Sequence, residues 1–160
     1  MIIKYSHTVG ILGVAGKTMT ASCHIRNLEN KQRSRDDPDD VVYAMTGNRY
    51  DRVPYSPQQF PVGIWQVFEP QSRSSKYLAP YFIPTNAKQL VKQWAIDDDG
   101  SYREPMDFEV VDHGYGLHYS TSRTTLGCIK IHDIMDLYSL VETIRSAINR
   151  KEVVNIEVTE

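Results

Sequence analysis

The chain has very little cysteine: only Cys23 and Cys128 occur in 160 residues, most of the sequence apart. Two thiols so placed exclude the dense disulfide framework by which small secreted domains make up for a thin core. Metal-ligand spacings such as Cys-x-x-Cys or His-Glu-x-x-His are missing, so zinc is not expected, and nothing calls for another cofactor. The acidic run Asp97-Asp98-Asp99 lacks the ligand spacing and closing glutamate of an EF-hand loop, and reads as a plain turn. There is no excess of either charge: 18 basic side chains face 20 acidic ones, for a net charge of -2, and the basic residues are scattered. A nucleic-acid partner is therefore not expected. No stretch approaches the ~20 apolar residues that cross a bilayer, which argues against membrane insertion. The start, Met1-Ile2-Ile3-Lys4-Tyr5-Ser6-His7, lacks the parts of a secretory signal. The expectation is a protein made in the cytoplasm without an export signal of its own.

What is present is an ordinary globular composition, 41% hydrophobic and 24% charged. The length suits one domain, residues 1–160, large enough to bury a core unaided. The first 30 residues alternate in polarity and read as two strands joined by a turn around Val14-Ala15-Gly16-Lys17. Arg33 to Asp40 is a charged loop, Val41-Val42-Tyr43-Ala44-Met45-Thr46 a strand, and Phe60 to Phe68 a proline-glycine turn feeding another strand. Thr85 resembles a cap, and Ala87, Leu90, Val91 and Trp94 fall on one helical face, which predicts a short helix over 85–96. Strand signal returns at Phe108-Glu109-Val110-Val111, at Gly116 to Tyr119, at Ile129-Lys130-Ile131 and at Val153 to Val158. Asp133 reads as the N-cap of a second helix, with Ile134, Leu137, Val141, Ile144 and Ile148 at helical spacing. The fold class expected is mostly β (α+β), one domain with two helices.

The chemistry is concentrated in Gly116-Leu117-His118-Tyr119-Ser120 and, after a short polar loop, Thr125-Leu126-Gly127-Cys128-Ile129-Lys130. A thiol becomes an acyl-transfer catalyst when a base removes its proton and amide donors hold the oxyanion. Cys128 is the candidate nucleophile and His118 the candidate base, with backbone N–H groups at Gly127 and Cys128 as oxyanion donors. Thr125 either bonds within the site or caps the turn; Lys130 either meets a substrate carboxylate or points outward. Tyr119 and Arg123 line the loop and are candidates for touching substrate. His113, followed by Gly114, competes with His118 as the base. Cys23 reads as a buried structural thiol, and His7, His24 and His132 as surface or locally satisfied side chains.

The order glycine-apolar-His, polar loop, Thr-x-Gly-Cys-Ile-Lys, helix and terminal strand resembles the L,D-transpeptidase catalytic domain. Phe60-Pro61-Val62-Gly63-Ile64-Trp65 and Thr46-Gly47 are weaker echoes of the same family. Leu126 stands where the motif has histidine, Lys130 where arginine is usual, and Tyr119 where glycine follows the histidine. The resemblance implies a β-sandwich or barrel and thioester chemistry through Cys128 on peptidoglycan stem peptides. It further implies a histidine oriented by a backbone carbonyl rather than by a third acid. Exchange, cross-linking and L,D-carboxypeptidase or endopeptidase outcomes all fit. The expected site of action is the bacterial cell envelope, after delivery or release, and a cognate immunity or delivery protein is a conceivable partner. The rival reading is a non-catalytic cell-wall or phage structural module that keeps the fold.

Overall fold

The structure, a computed structural model, describes residues 1–25, 58–73, 80–96, 102–121, 125 and 127–160. The expected charged loop at 33–40, the strand at 41–46, the Thr46-Gly47 echo, the acidic turn at 97–99, Arg123 and Leu126 lie outside these residues.

Alternation sets the first strands. In β1 (Ile2–Ser6), Ile3 and Tyr5 face the core while Ile2 and Lys4 face out; in β2 (Ile11–Val14), Leu12 and Val14 are the buried pair. A two-residue turn joins β2 to β3 (Lys17–Ser22), with Ala15 and Gly16 both in the left-handed region at φ 50° and 77°. Two consecutive positive φ values match the twist of a tight hairpin. The remaining strands are β4 (Gly63–Val67), β5 (Gln71–Ser72), β6 (Tyr81–Pro84), β7 (Gln89–Ile96), β8 (Tyr102–Asp112), β9 (Gly116–Tyr119), β10 (Ile129–Ile131) and β11 (Val154–Thr159).

Nine strands form one sheet in the order β4-β11-β1-β2-β3-β10-β9-β6-β5. Strand β3 turns the corner: Lys17 to Thr20 pair with β2, whereas Ala21 and Ser22 pair with β10. The sheet curls until its far part returns to β4. There Phe68 N–H donates to Pro84 O at 2.9 Å, Asn86 N–H donates to Gln66 O at 3.1 Å, and Val67 bridges Thr85. The described chain is thus mostly β, as expected, and its sheet is curled.

Among the described residues there is one helix, α1 (Ile134–Asn149), opened by the Asp133 carboxylate accepting from Met135 N–H at 2.7 Å. Leu137, Leu140, Val141, Ile144 and Ala147 are buried and pack on β6, β9, β10 and β11. Removing each large aliphatic side chain from water is worth about 2 kcal/mol, so this stripe ties both halves of the sheet to one core. Ile83, Leu117, Ile129 and Ile131 receive it, all fully buried.

The helix expected over 85–96 is not formed. Residues 89–96 are β7, antiparallel to β8, with Gln89 opposite Asp112 and Val91 opposite Val110. Thr85 does accept Ala87 N–H at 3.2 Å, the bond that suggested a cap, but its hydroxyl also donates to Tyr115 O at 2.6 Å. The same hydroxyl chemistry serves a turn as readily as a helix start. With Asn86 tied to β4, the chain leaves this point extended. Leu90 is exposed and Val91 buried, as a strand requires and a shared helical face forbids.

Candidate active site

Strands β9 and β10 run parallel, with Ile129 opposite Leu117, Lys130 opposite His118 and Ile131 opposite Tyr119. Leu117, Ile129 and Ile131 point into the core, so His118 and Lys130 share the other face. Cys128 lies in the turn that leads into β10, one residue before the paired register begins. The sequence-predicted base therefore stands on β9 and the nucleophile in the turn just ahead of its parallel neighbour β10.

His118 is fixed through one ring nitrogen. Nδ1 lies 3.0 Å from the Tyr119 carbonyl oxygen, to which it donates as N–H. This leaves Nε2 with its lone pair. Burial lowers the imidazole's proton affinity; the Tyr119 carbonyl opposes this, and the positive charges of Arg73 and Lys130 add to it. Cys128 is half-buried, and its Sγ meets Gly114 O at 4.0 Å. Burial pushes this thiol up to about 11; a backbone hydrogen bond from Gly116 and the charge of Arg73 pull the other way, while Cys23 and Asp112 raise it. At rest both members of the pair are neutral.

The turn carrying Cys128 is built by Thr125, Gly127 and Cys23. Thr125 N–H donates to His24 O at 2.7 Å, its hydroxyl donates to Cys128 O at 2.8 Å, and the same oxygen accepts Gly127 N–H at 3.3 Å. Thr125 is buried within the turn, and the Gly127 N–H expected at the oxyanion is directed to it. Gly127 adopts φ 125°, and a Cβ there would stand 2.6 Å from the Tyr115 ring and 2.8 Å from Gln58 O. Behind the turn, Cys23 is buried as expected; its thiol donates to Gly127 O at 3.2 Å and accepts Phe60 N–H at 3.3 Å. Burial raises the Cys23 thiol above its ordinary range.

The other sequence candidates separate clearly. Lys130 is buried beside His118, with Ser22 opposite it on β3. Tyr119 is half-buried against the core and contributes its carbonyl to His118. His113 is exposed in the β8–β9 connection, where its neighbour Gly114 supplies the carbonyl near Cys128. His7 Nε2 meets Phe60 O at 2.8 Å and His132 Nε2 meets Ser22 Oγ at 2.8 Å, so both are locally engaged.

Sequence reasoning missed Asp112, Tyr115, Gln89 and Arg73. Tyr115 is the prop of the turn: its ring lies against Gly127 and edge-on to Phe60, with centroids 5.5 Å apart. Its hydroxyl donates to the Asp112 carboxylate and accepts from Gln89 Nε2 at 2.8 Å. Burial, then Asp112, hold this phenol protonated well above the ordinary tyrosine range. Asp112 and Tyr115 lie in a stretch that looks like a polar turn, and Gln89 in one that looks helical. Only the pairing of β7 with β8 assembles them.

Together these elements define a mostly-β fold with a carbonyl-anchored imidazole on β9 and a neutral thiol in the turn that leads into its parallel neighbour β10. Comparison with protein-family models, curated proteins and solved structures returns no match.

Proposed function

We propose that the chain is a cysteine acyltransferase or L,D-peptidase of the L,D-transpeptidase type, acting on peptidoglycan stem peptides in the bacterial envelope. The observation that carries the reading is His118: its Nδ1 is committed to the Tyr119 carbonyl, and its strand is the parallel neighbour of β10, which Cys128 immediately precedes. In this mechanism Nε2 takes the thiol proton as sulfur attacks the carbonyl of the third stem residue. The base is needed because the thiol is protonated at neutral pH. The tetrahedral oxyanion is held by the Cys128 amide. His118 then returns the proton to the leaving amine, freeing the terminal D-amino acid and leaving a Cys128 thioester. An amine completes exchange or cross-linking, and water completes hydrolysis. No metal or cofactor enters these steps, and a delivery or immunity protein is the natural partner of such an enzyme.

The test is mass spectrometry of tetrapeptide stems incubated with the protein, with Cys128→Ala and His118→Ala as controls. Loss of D-alanine, exchange for an added D-amino acid, or a change in cross-linked dimer is expected, reduced at least about a hundredfold in both variants. Identical products from Cys128→Ala would overturn the assignment. One observation favours the rival non-catalytic module: the resting thiol is directed at the Gly114 carbonyl and strongly protonated. Under that reading no Cys128-dependent product forms.

A further inference from the structure

The peptide bond that joins Gly127 to Cys128 is gripped at its oxygen. Cys23, 104 positions earlier and 2% exposed, donates its thiol proton to Gly127 O at 3.2 Å. The sulfur is itself held, since it accepts the Phe60 N–H at 3.3 Å, and the Phe60 carbonyl meets His7 Nε2 at 2.8 Å. On the far side of Cys128, its own carbonyl accepts the Thr125 hydroxyl at 2.8 Å. The residue that carries the nucleophile is therefore fixed through the carbonyl before it and the carbonyl after it, in each case by a buried side chain. A trans peptide is planar, so its C=O and N–H point in opposite directions. With the Gly127 oxygen turned to Cys23 in the core, the Cys128 N–H is turned away from the core. Among the described residues this N–H enters no hydrogen bond, whereas the Gly127 N–H is taken by Thr125 Oγ1 at 3.3 Å.

We infer that Cys23 is a positioning residue for acyl transfer: its S–H···O=C bond to Gly127 sets the plane of the Gly127–Cys128 peptide so that the Cys128 N–H meets the tetrahedral oxyanion. The inference rests on the proposed cysteine acyl transfer, in which the nucleophile's own amide is the oxyanion donor. Gly127 is what makes the plane depend on an anchor. It has no side chain to restrict its backbone, and its φ of 125° is one that other residues rarely hold, so a bond from outside the turn selects the orientation. Burial raises the Cys23 thiol above its ordinary range, which keeps it in the protonated, donating form and sets no negative charge against the developing oxyanion. Serine at this position still carries a donor and an acceptor. Alanine carries neither, and leaves both Gly127 O and the Phe60 N–H without their partner.

A test independent of peptidoglycan compares acetylation of Cys128 by p-nitrophenyl acetate with its alkylation by iodoacetamide, each read by peptide mass spectrometry on the full chain. Both reagents consume the thiolate, but only the ester passes through a tetrahedral oxyanion: sulfur bonds to the acetyl carbon, the ester C–O bond breaks, and p-nitrophenolate leaves with the electron pair. Alkylation displaces iodide and builds no oxyanion. The ratio of the two rates thus cancels any change in thiol acidity and reports oxyanion stabilisation. It is expected to exceed that of free cysteine by about tenfold, to fall about fivefold in Cys23→Ala and to be largely retained in Cys23→Ser. Cys23→Val, which fills the space without a donor, should lower it like alanine and serves where the alanine variant does not fold. A wild-type ratio equal to that of free cysteine, a ratio unmoved by Cys23→Ala, or an equal fall in Cys23→Ser overturns the role. In a second arm with tetrapeptide stems, Cys23→Ala should lower kcat and leave KM in place. A high, Cys23-dependent ratio without turnover of any stem supports the positioning role while overturning the peptidoglycan assignment. Stem turnover with a ratio unmoved by Cys23→Ala does the reverse.

Discussion

At Gly127 two constraints coincide, a backbone at φ 125° and a Tyr115 ring where a side chain would start. Gly114 separates them, since its φ of 88° is equally left-handed but nothing lies within 4 Å of a Cβ there. Gly114→Ala should therefore cost only backbone strain, about 1 kcal/mol. Gly127→Ala should cost about 2–4 kcal/mol, because ring and carbonyl must also move. Urea unfolding of the two variants checks this, and equal losses would mean that Tyr115 does not brace the turn. The Gly-Cys pair was legible in the sequence, and so was the histidine ahead of it. Neither the brace nor the Cys23 thiol behind Gly127 was legible, because Tyr115 meets the turn from the β8–β9 connection and Cys23 from just beyond β3, 104 positions earlier.

Helix α1 and strand β7 show what periodicity can and cannot decide about an element. In α1 the apolar residues recur over sixteen positions, Asp133 caps the start, and the stripe has a sheet to cover. Asp133→Ala should lose about 1 kcal/mol and Leu140→Ala about 3 kcal/mol, the first by stranding the Met135 N–H and the second by leaving a cavity. Chemical denaturation should show the difference, with helical circular dichroism retained below the transition. Over 85–96 the same apolar spacing spans barely two turns, and the capping hydroxyl is engaged by Tyr115 O. Short segments with such patterns follow their partners: β8 offers a ladder, and the tie of Asn86 to β4 starts the chain extended. Strand β10 is the opposite case, three residues whose Ile-Lys-Ile alternation survives although all three are buried.

Across the whole molecule the buried titratable groups define a pH window. Folded His118 resists the proton that the unfolded chain accepts below about pH 6.5, so its contribution to stability is present above that value and is lost as pH falls. Cys128, pushed up to about 11, acts in the reverse sense, and Cys23, Tyr5 and Tyr115 are raised with it. The Cys128 contribution is present below the unfolded thiol value of about 8.5 and is lost as pH rises toward 11, whereas that of the two tyrosines is lost only above their unfolded value of about 10. Thermal unfolding should thus give the highest Tm between about pH 7 and 8.5, with a drop of roughly 5 °C on each side. His118→Gln should flatten the acid limb and Cys128→Ser should reduce the alkaline one. An acid limb unchanged in His118→Gln would assign that limb to other groups.

The sequence by itself determined the mostly-β class, the capped helix, the hairpin at Ala15-Gly16 and the candidate pair His118 and Cys128. All of these rest on local pattern, on residues close together in the chain whose periodicity or spacing is their own signal. Tertiary structure decided the rest: that 89–96 is a strand, that Thr125 lies inside the turn, that Tyr115, Asp112 and Gln89 meet under Gly127, and that the Arg73 guanidinium lies over the Phe82 ring. Each of these depends on which strands become neighbours in a sheet that curls back on itself. Some of these contacts join segments far apart, as Cys23 and Gly127 are, and the nearer ones, such as Tyr115 against Gly127, cross between elements whose pairing no local pattern announces.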